Sequence, residues 1–115
     1  MTKGQSEAAL QQQCFNHFWN TYPDLRKLLF SVPNEGAGTA KRGKLLKMMG
    51  LVAGVSDMLL IYKGTVYCLE LKTEYGYQSK SQKDWERRVR AQGVMYKVIY
   101  NFEQFKSTIK DIIGR

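Results

Sequence analysis

Apolar residues recur every four positions near the start of the chain, at Leu10, Cys14, Phe18 and Tyr22. That spacing lays one apolar stripe along a helix, expected over residues 6–22 and ended by Pro23. Residues 27–32 (KLLFSV) predict a short strand running into Pro33-Asn34-Glu35-Gly36. The stretch 34–44 is rich in Gly and Lys/Arg and predicts a mobile basic loop. A short helix over 44–49 follows, ended by Gly50. Between Gly54 and Lys72 two apolar, β-rich runs flank Lys63-Gly64, a hairpin signal, though a weaker one than Asn-Gly. Ser81 is expected to open a second long helix over 82–92, with Ser81-x-x-Asp84 as its capping box and Gly93 as its stop. Gln82, Trp85 and Val89 share one face of that helix. Residues 94–100 (VMYKVIY) predict another strand. Asn101-x-x-Gln104 can cap a final amphipathic helix with Phe105, Ile109 and Ile112 or Ile113 on its apolar side. The order α β α β β α β α describes one mixed α/β domain over residues 1–115.

The composition narrows the function classes. In 115 residues, Lys plus Arg is 18 and Asp plus Glu is 10, a net charge of +8. So basic a body of this size points to a polyanionic partner such as nucleic acid. No apolar run approaches the roughly 20 residues of a membrane span, and Met1–Gln5 lacks the apolar core of a signal peptide. A cytoplasmic protein without a membrane partner is therefore expected. Cys14 and Cys68 sit inside apolar patterns, which argues against a disulfide framework. One His and two distant Cys exclude a zinc site of Cys/His type. A metal here would be held by carboxylates, which favours Mg2+ or Mn2+.

The hairpin carries the candidate chemistry. If Lys63 and Gly64 form a two-residue loop, Tyr62 faces Thr65, Ile61 faces Val66, and Asp57 lies across from Glu70. Directly opposed residues point to one face with Cβ atoms about 4.5–5.5 Å apart. Lys72, two residues beyond Glu70, shares that face. Two opposed carboxylates repel unless something neutralises them. A divalent cation would do so; a strand-end salt bridge of Lys72 with Glu70 or Asp57 would do so in part. Glu7 stands one turn before Leu10, where an acid also suits the helix dipole. Gln82 heads the apolar face of its helix, where an amide either caps the helix or points into a site.

Taken together, Glu7, Pro33-Asn34-Glu35-Gly36, Gly50-Leu51, Gly54-Val55-Ser56-Asp57, Glu70-Leu71-Lys72, Gln82-x-x-Trp85 and Gly93 resemble the VRR-NUC family of the PD-(D/E)xK nuclease superfamily. The resemblance runs from about Glu7 to Tyr100 and is to the short stand-alone members of bacteriophages. The same module forms the nuclease domain of the larger Fanconi-associated nuclease. One departure is Ser56-Asp57 in place of Pro-Asp. The resemblance implies a mixed four-stranded sheet flanked by helices and a Mg2+- or Mn2+-dependent endodeoxyribonuclease, structure-selective and resolving four-way (Holliday) junctions as a homodimer. It implies metal ligation by Asp57, Glu70, the Leu71 carbonyl and Glu7. It also makes Lys72 the residue that positions or activates the attacking water, and Gln82 the one that orients water or the lysine. Lys41, Arg42, Lys44 and Lys47 in one segment, and Lys80, Lys83 and Arg87 in another, suit phosphate contacts on DNA. A less selective nickase or flap nuclease is the nearest alternative, and a non-catalytic DNA-binding subunit is the alternative from another class.

Overall fold

The computed structural model describes residues 4–33, 40–73 and 76–115. Helix α1 spans Glu7–Thr21 and buries the expected stripe of Leu10, Cys14 and Phe18, with Tyr22 continuing it. The Ser6 hydroxyl caps α1 by accepting the Ala9 N–H. A single 3-10 turn at Pro23–Leu25 follows, because proline cannot supply the N–H that would continue the α-helix. Strand β1 is shorter than its apolar run, Leu29–Ser31. Lys27 takes a positive φ of 76°, a left-handed kink no strand contains.

The second helix corrects the sequence expectation. Residues 34–39 lie outside the described residues, and with them Asn34-Glu35-Gly36 and the first part of the expected basic loop. Residues 40–44 are not loop but the opening of helix α2, Ala40–Met48. Ala, Lys, Arg, Leu and Met are strong helix formers, and together they outweigh the ~1 kcal/mol that the interior Gly43 costs.

Strands β2 (Met58–Tyr62) and β3 (Thr65–Leu71) form the expected hairpin. Lys63 and Gly64 have φ of 48° and 77°. Positive φ at both loop residues is the type I′ turn that matches the twist of paired strands. The register is the expected one, Tyr62 opposite Thr65 down to Met58 opposite Leu69. Helix α3 spans Lys80–Ala91, and β4 (Met95–Ile99) lies parallel to β3. The sheet order is β1-β2-β3-β4, with β1–β2 and β2–β3 antiparallel. Asn101 caps the last helix, α4 (Phe102–Ile113), by accepting the Gln104 N–H. Phe105, Ile109 and Ile113 are buried on it, while Ile112 is half-buried.

One core follows from this arrangement. Met58, Leu60, Leu69, Leu71 and Ile99 of the sheet join Leu10, Cys14 and Phe18 of α1 and Phe105 and Ile109 of α4. The opposite face of β3 and β4, bearing Cys68, Glu70 and Tyr96, meets α3, where the rings of Trp85 and Tyr96 lie 6.0 Å apart. This second face is where the apolar pattern is broken by charge.

Candidate active site

Asp57 stands just before β2, and three bonds fix it. Its carbonyl accepts the Val32 N–H at 2.9 Å, and its Oδ2 accepts the Leu71 N–H at 2.7 Å. The Ser56 hydroxyl, fully buried, donates to the Met58 carbonyl. The ladder that ends at Met58–Leu69 thus continues by one step, with Asp57 set against the end of β3. Gly54 sets the approach of this segment. Its φ is +88°, and a Cβ there would stand 2.2 Å from the Ser81 carbonyl oxygen, so the loop lies directly on the first turn of α3.

Glu70 is wholly buried. Tyr96, also buried, donates its hydroxyl to Glu70 Oε2 at 3.0 Å, and Gln82 Nε2 reaches Glu70 Oε1 at 3.4 Å. Burial first, then the hydrogen bond and charge of Asp57, push the Glu70 carboxyl up to about 9; Tyr96 and Lys72 pull the other way. A carboxyl so buried beside another acid disfavours its charged form, so Glu70 keeps its proton at neutral pH. The charged partner expected for the acids is placed differently. Lys72 is buried, but its Nζ pairs with Glu7 Oε1 at 3.9 Å, and no ion pair with Asp57 or Glu70 forms. Glu7 therefore contacts the lysine rather than the acidic pair. Among the described residues no group of three or more His, Cys, Asp or Glu side chains gathers around a common point.

Helix α3 starts earlier than expected, and its cap is a different serine. The Ser79 hydroxyl accepts the Gln82 N–H, and Gln82 Oε1 accepts the Ser79 N–H at 2.7 Å, a reciprocal capping box. Ser81-x-x-Asp84 makes no such box; Asp84 instead pairs with Arg87 and Arg88. Gln82 thus ties down the helix start with its oxygen while its nitrogen points at Glu70.

The expected phosphate contacts lie on two helices. Lys41, Arg42, Lys44 and Lys47 are exposed on α2, and Lys80, Lys83 and Arg87 on α3. Lys80 and Lys83 stand within a turn of Gln82 and form no ion pair with a described residue. Arg87 is held by Asp84. Arg90, exposed at the surface, donates to Glu86 and to the Tyr96 carbonyl.

Tyr96 is the site residue the sequence reading passed over. It sits in an apolar run that reads as core strand. Only the parallel pairing of Cys68 with Tyr96 and Glu70 with Val98 brings its hydroxyl beside Glu70.

The structure thus defines a mixed α/β fold with a paired carboxylate site at the open end of a hairpin. No family model matches the sequence, and no curated protein matches it. Solved structures do. One described as "VRR_NUC domain protein" superposes with a TM-score of 0.81, covering 98% of this chain and 92% of its own, at 21% identity. Another, described as "VRR_NUC domain", gives a TM-score of 0.60 over 90% of this chain and 94% of its own, at 20% identity. The chain has the fold of these VRR_NUC domains.

Proposed function

We propose that the protein is a Mg2+- or Mn2+-dependent endodeoxyribonuclease of the VRR-NUC type, with Asp57, Glu70 and Lys72 at its centre. The observation that carries this reading is the wholly buried Glu70 carboxyl set against Asp57 with no ion pair from a described Lys, Arg or His to either. For stability alone such a pair is a cost, since buried ionisable groups need partners.

The donors fit a hard divalent cation. Asp57 and Glu70 offer carboxylate oxygens. The Leu71 N–H points across to Asp57, and strand geometry directs the carbonyl of the same residue to that side. Two carboxylates and a carbonyl suit Mg2+, which keeps its remaining positions for water and phosphate. Glu7, tied to Lys72, takes part through that lysine or through water. When bound, the cation supplies charge neutralisation at the phosphate and lowers the pKa of water.

The chain's own residues do the rest. The Lys72 ammonium offers three donors beside the acids; it orients the attacking water and stabilises charge that develops on the phosphate. Glu7 pairs with Lys72 at 3.9 Å and so restrains its ammonium. Gln82 holds Glu70 in place. The exposed lysines of the first turn of α3, with those of α2, take the flanking phosphates. The net charge of +8 accords with DNA as substrate.

The preferred substrate on this reading is branched DNA, and the active species a homodimer. A four-way junction presents two strands to cut with approximate two-fold symmetry, and each chain has one acidic pair. Around α2, Leu45, Met48, Met49 and Val52 are exposed, Met48 by 77%; a second copy would cover such an apolar patch. The test is cleavage of a labelled four-way junction beside duplex, flap and single-stranded controls. Paired nicks across the junction uphold junction resolution; equal cutting of all substrates returns the activity to a less selective nickase.

A further inference from the structure

Glu70 is reached from the protein surface by an unbroken chain of directed hydrogen bonds. At its outer end Arg90 Nε donates to Glu86 Oε2 at 2.8 Å. Gln78 Nε2 donates to Glu86 Oε1 at 2.9 Å and to the Tyr96 hydroxyl oxygen at 3.2 Å. Tyr96 then donates to Glu70 Oε2 at 3.0 Å.

Each link dictates the direction of the next. Burial pushes the Glu86 carboxyl up, but the bonds from Gln78 and Arg90 outweigh it and hold it below its ordinary value. Glu86 is therefore a carboxylate, which only accepts. That fixes the Gln78 amide with its nitrogen towards Glu86, since a turned amide would set its oxygen against the carboxylate. With both N–H groups of Gln78 committed, one of them lands on the Tyr96 oxygen. The Tyr96 proton is then left to point at Glu70. Arg90 also donates to the Tyr96 carbonyl at 2.7 Å, so one guanidinium holds both ends of the chain.

We propose that Glu86, Gln78 and Tyr96 form a positioning relay that fixes Glu70 Oε2 with a directed donor, so that Oε1, which takes only the longer contact from Gln82 at 3.4 Å, faces a metal and Asp57. The relay rests on the nuclease site proposed above. A directed donor on one oxygen of an acid removes its freedom to rotate, so the acid is ordered before a cation arrives; partners of this kind are worth about 10–100-fold in metal affinity or activity. None of the three residues touches DNA or the reacting atoms on this reading. Each acts through Glu70.

The test measures Mn2+ binding by calorimetry on the full chain, for the wild type and for Tyr96→Phe, Gln78→Met and Glu86→Gln, beside kcat and KM on junction DNA. Thermal melts identify any variant whose fold is lost. The relay predicts that Tyr96→Phe weakens Mn2+ binding about tenfold. Gln78→Met and Glu86→Gln weaken it by smaller steps in that order, with kcat falling in parallel and KM for DNA unchanged. Folded variants with wild-type Mn2+ affinity overturn the relay. So does a loss confined to Tyr96→Phe, which would leave a single hydrogen bond rather than a directed chain. A wild type with this order of affinities that cuts no DNA upholds the relay and overturns the nuclease reading. A wild type without Mn2+ affinity overturns both.

Discussion

Glutamine at position 70 should stabilise the metal-free protein at alkaline pH while abolishing its response to Mg2+. Glu70 is wholly buried beside Asp57, and its carboxyl is pushed from 4.5 up to about 9, by burial first and by Asp57 next. In the unfolded chain the same carboxyl ionises in its ordinary range. A folded-state value above the unfolded one means the native state holds the extra proton. Stability from this group is then complete below about pH 4.5 and declines as pH rises towards 9. At about pH 8, some 3.5 units above the unfolded value, the penalty has a ceiling of about 5 kcal/mol. Relaxation and water penetration around the buried carboxyl reduce this to about 2 kcal/mol. Glu70→Gln keeps the shape and an oxygen for the Tyr96 hydroxyl but cannot ionise. By urea unfolding in EDTA, the variant should exceed the wild type by about 2 kcal/mol at pH 8 and match it near pH 4.5. In a thermal melt the same difference is about 8 °C. In Mg2+ the order should reverse, because only the wild type gains from ligation. Parallel stability–pH curves for the two proteins in EDTA would show that Glu70 does not hold the extra proton in the native state.

Three further outcomes follow from the geometry. Gly54→Ala combines a φ of +88° with a Cβ set 2.2 Å from the Ser81 carbonyl oxygen, so it should cost more than about 2 kcal/mol, measured by chemical denaturation. Ser79→Ala should cost about 1 kcal/mol through loss of the α3 cap, whereas Ser81→Ala should cost a few tenths; equal losses would contradict the observed cap. Cys14 and Cys68 are buried, and burial pushes the Cys14 thiol up to about 12. Both should therefore ignore a thiol-reactive dye in the native protein and react at once in denaturant.

The parts of the fold legible in the sequence are those set by local rules. The every-fourth-residue stripe of α1, the two-residue turn at Lys63-Gly64 and the Asn101 cap of α4 each rest on neighbours within a turn or a hairpin. The opposition of Asp57 to Glu70 followed because a two-residue loop determines register all the way down the ladder. What was not legible depends on longer reach or on competition between similar signals. Two serines two residues apart could each cap α3; Ser79 does, because Gln82 completes its box and also reaches Glu70. The first turn of helix α2 was masked by Gly43 and by charges that read as loop, while its later part was expected. The partnership of Tyr96 with Glu70 needed the parallel register of β3 and β4, which a crossover through α3 leaves undetermined by spacing. Lys72 turned to Glu7 rather than to the acids beside it because the first turn of α1 stands at the end of β3.

On the proposed reading, Asp57, Glu70 and Lys72 hydrolyse DNA with a divalent cation. That reading is tested most directly by incubating a labelled four-way junction with wild type, Asp57→Ala and Lys72→Ala, each in Mg2+, in Mn2+ and in EDTA. Cleavage by the wild type is expected in either metal, with none in EDTA and a loss of about 100-fold or more in both folded variants. Salt-sensitive binding of the junction without cleavage in any metal, or cleavage that survives Asp57→Ala, would contradict it.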